Sequence, residues 1–350
     1  MWSRVSPLTV LVAVSLLVAA CGASNPSQAL SAGGGVAAPA TAQGAADTAT
    51  PRPLEKVRIG YPSRSVTFLS MLLARDQGYF QQEGIDPDLS QIKTNVGITA
   101  LLNGELDYTE SVGTNIRSAL QGAPIKTVMT SMRAPVFVLV ARPEFTSVEQ
   151  LRGHTVGITN FGGSNDQTAQ LIFEHFGLEP QKDVQLVPVG DAPVQYEVLK
   201  QGQIDSIVVS LPFPLLAQRE GYRLLVNAPD IVSMPLAGLG TLQTTLDTRR
   251  DQVKRVVKAE IQALDHIRTH PDDAIALIAD LFETDQATAR DAYTYLLPSF
   301  SEDGAPERAG VETILKLEQE DGPTPAPATY EQVADASVAA EARAELGPRP

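Results

Sequence analysis

Residues 101-LLNGELDYTE-110 close a helical pattern on Gly104, turn at Asp107 and run into a short strand pattern. The same order returns at 198-VLKQGQIDS-206, where Gly202 stands for Gly104 and Asp205 for Asp107, 98 residues further on. Upstream of each, the strand patterns 57-VRI-59 and 156-VGI-158 are offset by 99 residues. Glycine tolerates the left-handed conformation that ends a helix, and aspartate suits the turn before a strand. Two separate elements that keep nearly one offset point to two lobes of similar topology rather than to a chance recurrence of one turn.

Working outward, further strand patterns lie at 57-VRIGY-61, 106-LDYTE-110, 125-IKTVMT-130, 135-PVFVLVA-141, 155-TVGIT-159, 184-VQLVPV-189, 205-DSIVVS-210 and 222-YRLLV-226. Helical stretches with apolar residues three and four apart separate them, as in 67-TFLSMLLARDQGYF-80 and 165-NDQTAQLIFEHF-176. That alternation predicts an α/β fold of mostly parallel sheets covered by helices. After about residue 240 the pattern turns helical, with a break at His270-Pro271 and further helices over 307–320 and 329–346. These C-terminal helices are expected to pack on the first lobe.

The chain has 350 residues, 43% of them apolar and 19% charged, the balance of a globular protein with ordinary cores. Its formal charge of −14 argues against nucleic acid as a partner, because a phosphate backbone calls for a basic face. The opening 1-MWSRVSPLTVLVAVSLLVAACGAS-24 has one cation, Arg4, and then an apolar stretch of signal-peptide length, which predicts an export signal over residues 1–20. Its close, Val18-Ala19-Ala20-Cys21, resembles the bacterial lipobox, which implies a lipid on Cys21 and a membrane anchor there. Cys21 is the only cysteine, so disulfides and thiol chemistry are excluded. Residues 21–54, rich in Ala, Gly, Ser, Thr and Pro, are expected to form a flexible tether.

Several phrases in the folded part carry a resemblance: 56-KVRIGY-61, 72-LLARDQGYFQQEGID-86, 102-LNGELDYTESVGTN-115, 151-LRGHTVGITNFGGSNDQTAQ-170 and 270-HPDDAIALIAD-280. Together they resemble the solute-binding proteins of nitrate, sulfonate, taurine and thiamine-pyrimidine-precursor ABC transporters. The resemblance implies a two-lobe, Venus-flytrap protein of the type II periplasmic-binding class, with lobe one over 55–142 and 229–346 and lobe two over 143–228. It implies hinge closure on a small-molecule ligand, delivery to an ABC permease, and a monomer without cofactor. Two other readings stay open, an enzyme on the same fold and a ligand-binding subunit of a sensor.

In open α/β sheets, ligands sit beyond the carboxyl ends of the strands. The candidate lining is therefore the loops 61-YPSRS-65, 110-ESVGTN-115, 131-SMRAP-135, 160-NFGGSN-165, 190-GDAPVQY-196 and 210-SLPF-213. Glu110 is expected to accept from ligand N–H groups, with Asn115 and Asn160 orienting the ligand. Tyr61 or Phe161 would stack on it, and Tyr196 and Phe213 are further aromatic candidates. Thr114, Asp191 and Ser210 supply polar groups in the same loops. Arg64 and Arg133 could hold a carboxylate or sulfonate. Ser164 stands three residues before Gln167 in the spacing of a capping box, so a cap and a ligand contact are both open to it, while Gly162 and Gly163 leave backbone N–H groups free. Asp166 in the first helical turn opposes a bound anion. The four histidines show no metal-ligand spacing, and no paired catalytic carboxylates or Ser-His-Asp set stands out. Taken with the resemblance, these residues favour a nitrogen-containing or heteroaromatic solute, as in the pyrimidine-precursor branch of the family, over an alkanesulfonate, taurine or nitrate.

Overall fold

A computed structural model describes residues 53–232, 234–320 and 328–347. The expected export signal, the lipid site at Cys21 and all but the last two residues of the tether lie outside the described residues. Ten strands build two five-stranded sheets: β1 (Glu55–Tyr61), β2 (Ile85–Gln91), β3 (Tyr108–Glu110), β4 (Ile125–Thr127), β5 (Phe137–Ala141), β6 (Thr155–Ile158), β7 (Gln185–Pro188), β8 (Ser206–Ser210), β9 (Arg223–Asn227) and β10 (Leu239–Leu242). The first sheet runs β2-β1-β3-β10-β4 and the second β7-β6-β8-β5-β9. In each, the first three strands are parallel, and one strand that arrives from the other half of the chain is inserted antiparallel next to the third. The two sheets thus share one topology, as the repeat predicts, but they are mixed rather than mostly parallel.

The repeat has a physical content. Gly104 and Gly202 take φ of 73° and 68°, each at a helix end. Asp107 accepts the Arg58 N–H at 3.0 Å and the Arg58 Nε–H at 2.9 Å, which ties the start of β3 to β1. Asp205 accepts the Thr155 N–H at 2.9 Å and so ties β8 to β6. Burial raises the Asp107 pKa, but the Arg58 side chain and N–H outweigh it and hold the carboxyl below the usual range. Replacing Asp107 by alanine strands these donors, at a cost of about 2 kcal/mol. The expected result is a melting temperature lower by roughly 4–8 °C, read by calorimetry, with Asp107→Asn intermediate.

Three elements depart from the sequence expectation. β5, expected at the end of lobe one, belongs to the second sheet, where its five buried residues FVLVA pair with both β8 and β9. The chain therefore leaves the first sheet before Phe137 rather than after Arg142. β2 reads IDPDLSQ, a polar run with a proline, tolerable because it is an edge strand paired on one side only. β10, only four residues long, is held by its neighbours β3 and β4 rather than by an apolar pattern.

The C-terminal helices pack where expected. The long helix Arg250–Thr269 lies on the helices Leu69–Asp76 and Tyr79–Gln82 of the first half and is covered in turn by Ser337–Leu346. Its buried stripe includes Val253, Val256, Val257, Glu260, Leu264 and Ile267, the three-and-four spacing of an amphipathic helix with one acid in the apolar row. Among the described residues no helix is long and apolar enough to cross a membrane.

Candidate functional site

The loops that leave β1, β3 and β6 converge on one cleft, partly open to solvent. Pro62, Ser63 and Ser65 follow β1; Glu110 and Ser111 end β3; Thr159, Asn160, Gly163, Ser164 and Asn165 follow β6. The cleft thus lies beyond the carboxyl ends of strands from both sheets. Phe68, Phe137 and Leu236 form its apolar walls. No Arg, Lys or His is among its lining residues.

Bridges across the cleft connect the two halves. Ser65 Oγ donates to Ser210 Oγ at 3.0 Å, Thr114 Oγ1 to the Gly162 carbonyl at 3.1 Å, and Gln91 Nε2 to Asp191 at 3.4 Å. Behind them Glu318 accepts from Gln167 Nε2 at 2.8 Å and from Arg117 Nε at 2.9 Å, drawing together two helices that start at the cleft.

Inside the cleft the unmet polar atoms are three acceptor oxygens and one hydroxyl. Glu110 is 1% exposed, and neither of its carboxylate oxygens has a hydrogen-bond partner. Asn160 Oδ1 and Thr94 Oγ1 are buried without partners as well. Burial pushes the Glu110 pKa up to about 7, against weaker downward pulls from the neighbouring Glu260 carboxyl and from the Gly238 N–H, which does not reach hydrogen-bond geometry. The carboxylate and the amide oxygen are completed by a ligand that brings N–H groups, and the Thr94 hydroxyl can donate to that ligand or accept from it.

Residues 65–274 match the family described as NMT1/THI5 like. The chain belongs to the NMT1/THI5-like family. A riboflavin-binding protein, RibY of Chloroflexus aurantiacus, is 25% identical over 283 residues, covering 77% of this chain and 76% of that protein. Among solved structures, the nitrate-binding NrtA of Synechocystis PCC 6803 superposes with a TM-score of 0.69 at 13% identity, over 84% of this chain and 89% of that one. The aliphatic sulphonate binding protein SsuA of Escherichia coli gives 0.64 at 17% identity, over 79% and 96%. At these identities the structures establish the shared periplasmic-binding-protein fold.

Within this family member, the structure brings Glu110, Asn160, Gly163 and Ser164 of the expected set into the cleft wall. Thr114, Asp191 and Ser210 sit in the bridges beside it. The other residues of the set lie elsewhere. Asn115 is fully buried, exchanges hydrogen bonds with Thr109 and fills the space that Gly240 leaves open. Tyr196 and Phe213 pack against each other at 5.5 Å, and Phe213 meets Phe282 edge-on at 5.4 Å, so both serve the core. Phe161 is 50% exposed and outside the cleft. Arg64 is exposed, and Arg133 donates to the Pro298 carbonyl. Neither lines the cleft. Tyr61 backs Phe68 at 5.8 Å between ring centres.

The capping-box reading of Ser164 is corrected. Gly163 is the N-cap, Ser164 is the first helical residue, and Gln167 points to Glu318 instead of back to the cap. Asn165 secures the loop by accepting from the Thr159 N–H, and Asp166 by accepting from the Gly162 N–H, both at 2.8 Å. Ser164 Oγ is thereby left at the cleft, and Asp166 is turned to its own loop. Sequence reasoning missed Phe68 and Phe137, which sit in apolar runs indistinguishable from core. It also missed Glu260, whose signal is an acid in the apolar row of a helix.

Proposed function

We propose that this protein captures a small nitrogen-containing organic solute, neutral or cationic and with a flat ring, outside the cytoplasmic membrane and delivers it to an ABC permease without covalent chemistry. The observation that supports this reading is the cleft's pair of unpartnered acceptor groups, the Glu110 carboxylate and Asn160 Oδ1, walled by Phe68 and Phe137 with no cation among its lining residues. A nitrate or sulfonate would meet a buried acid there, and the Gly162 N–H that could have greeted an anion is already bound to Asp166. Riboflavin, named for the relative RibY, is itself a nitrogen-rich fused ring with a ring N–H. Lobe one over 55–142 and 229–346 and lobe two over 143–228, with the boundary strand β5 moved to lobe two, would close on the solute about the two crossings between the sheets. A lipid on Cys21 would hold the monomer at a bacterial membrane.

The test is native mass spectrometry of molecules that co-purify with the full-length exported chain, followed by thermal shift with aminopyrimidines, riboflavin, taurine, alkanesulfonates and nitrate. A cognate ligand at 100 times its Kd stabilises by roughly 2.7 kcal/mol. Aminopyrimidines or flavins are expected to raise the melting temperature, and Glu110→Ala to remove that shift. A shift seen only with sulfonates or nitrate would sink the ligand class.

A further inference from the structure

Behind the cleft the two halves of the chain meet at a carboxylate. The helix Val112–Leu120 starts just after the lining residues Glu110 and Ser111, and the helix Ser164–His175 opens on the lining residue Ser164. The first helix follows β3 of one sheet and the second follows β6 of the other. Glu318, near the end of the helix Arg308–Glu320, bonds to both. On its own side it accepts from Arg117 Nε at 2.9 Å and pairs with Arg117 Nη2 at 2.8 Å; across the divide it accepts from Gln167 Nε2 at 2.8 Å. Arg117, Gln167 and Glu318 do not line the cleft.

The two sides of that junction are built differently. Val311, Ile314 and Leu315 join Val112 and Ile116 in one buried apolar cluster, so the helix that carries Glu318 moves with the half that holds the first sheet. Leu171 of the facing helix only borders that cluster and is partly buried. The planar guanidinium of Arg117 fixes the carboxylate in place for Gln167. Gln167 is 9% exposed and its Oε1 is buried without a partner, so its amide is committed to Glu318 through Nε2. Gly113 leaves room for this approach, since a Cβ there would stand 2.5 Å from Gln167 Oε1.

We propose that Glu318 is a catch: held by Arg117 and engaged by Gln167, it keeps the two halves closed over the cleft by the protein's own bonds and so sets how long a ligand stays. It is a positioning residue, which acts on the ligand through the spacing of the two helix starts. The retention part rests on the function proposed above; the catch itself does not. Separating the halves exchanges a charge-assisted bond for hydration of Gln167 and Glu318, and that difference favours the closed form. A ligand held by the closed form binds more weakly as that form is depopulated: a closed fraction cut to about a tenth raises the apparent Kd roughly tenfold.

Electron paramagnetic distance measurements on the unliganded full chain test the catch directly. Nitroxides at Val96→Cys in the first half and Val194→Cys in the second, both exposed positions, report the separation in a Cys21→Ser background. A short distance is expected with the catch intact, and a longer one in Glu318→Ala and in Gly113→Ala. The glycine variant removes no bonding group and puts a better helix former into the helix Val112–Leu120, so it keeps the fold while its methyl group displaces Gln167 from Glu318. If Glu318→Ala does not fold, Gly113→Ala decides. Glu341→Ala, which breaks an ion pair with Arg250 inside the first half, is expected to leave the distance unchanged. Opening in either variant with Glu341→Ala unchanged sustains the catch; equal distances in the intact protein and both variants, or the same opening in Glu341→Ala, overturn it. Cytosine and riboflavin then read retention: a Kd about tenfold weaker, carried by the off-rate, is expected in Glu318→Ala. An unchanged Kd overturns the retention part. If the wild type binds neither probe, the ligand class fails and the distances still decide the catch.

Discussion

Gly238→Ala is expected to lower stability by about 3 kcal/mol or more. Gly238 takes φ of 151°, a region that L side chains rarely enter. A Cβ there would stand 2.1 Å from the Met129 carbonyl oxygen and 2.6 Å from the Thr130 Cα. Both obstacles are backbone, which cannot rotate aside as a side chain can. The position also matters for the site, because the next residue, Leu239, pairs with Glu110 in the antiparallel register of β10 and β3. At about 2–4 °C per kcal/mol for a domain of 150–250 residues, the alanine variant should melt roughly 6–12 °C below wild type. A melt within 2 °C of wild type would show that the backbone approach at Met129 is not maintained in solution.

The second large effect is a fall in stability as pH rises from about 5 to 8. Glu110 and Glu260 both have folded pKa values above the unfolded value of 4.5, so the folded state binds more protons than the unfolded one. Their contribution is fully present below pH 4.5 and is lost as pH climbs, for Glu110 through about 7. That interval corresponds to a loss on the order of 3 kcal/mol, with no discount for solvent because the group is buried. Asp107, Asp205 and Asp335 act the other way. Their lowered pKa values add stability above about 3.8, lost as pH falls through the folded values. The optimum therefore falls near pH 4.5–5.5. Urea titrations from pH 4 to 9 are expected to show this maximum, and Glu110→Gln to flatten the neutral limb and exceed wild type at pH 8. An unchanged slope between pH 5 and 8 in Glu110→Gln would refute the assignment.

The acid pair also bears on what can enter the cleft. A buried glutamate without a cation near it favours N–H donors, while its neighbours Phe68, Phe137 and Leu236 favour a flat apolar face. The bridges Ser65–Ser210 and Thr114–Gly162 are short and polar, of the kind that break and re-form when two halves separate. Those made by Glu318 lie further from the cleft and join the helices Val112–Leu120, Ser164–His175 and Arg308–Glu320.

By itself the sequence determined the duplicated topology, because the marks that carry it are local. A glycine at a helix end and an aspartate before a strand act on their immediate neighbours, and Gly104, Asp107, Gly202 and Asp205 do in the structure what their residue types dictate. It likewise pointed to the loops after β1, β3 and β6, whose residues line the cleft, because strand ends follow from strand patterns, whereas the loops 131–135, 190–196 and 210–213 of the same expectation give the lining no residue. Glu110 and Asn160 were legible for that reason, and so was the share of the chain given to C-terminal helices.

Only the tertiary structure decided which partner each strand found and which side chains meet across distance. FVLVA in β5 reads the same in either sheet, and its place is set by β8 and β9, which lie some 70 to 90 residues away in sequence. Tyr196 and Phe213 look like stacking residues until they pack on each other and Phe282 meets Phe213, and Asn115 looks like a ligand contact until Gly240 makes room for it. Glu110 and Glu260 stand 150 positions apart, and their full burial leaves no periodic trace beyond one acid in an apolar row. Burial is a property of the folded assembly, and there two unremarkable glutamates lose their water and are pushed above the usual carboxylate range.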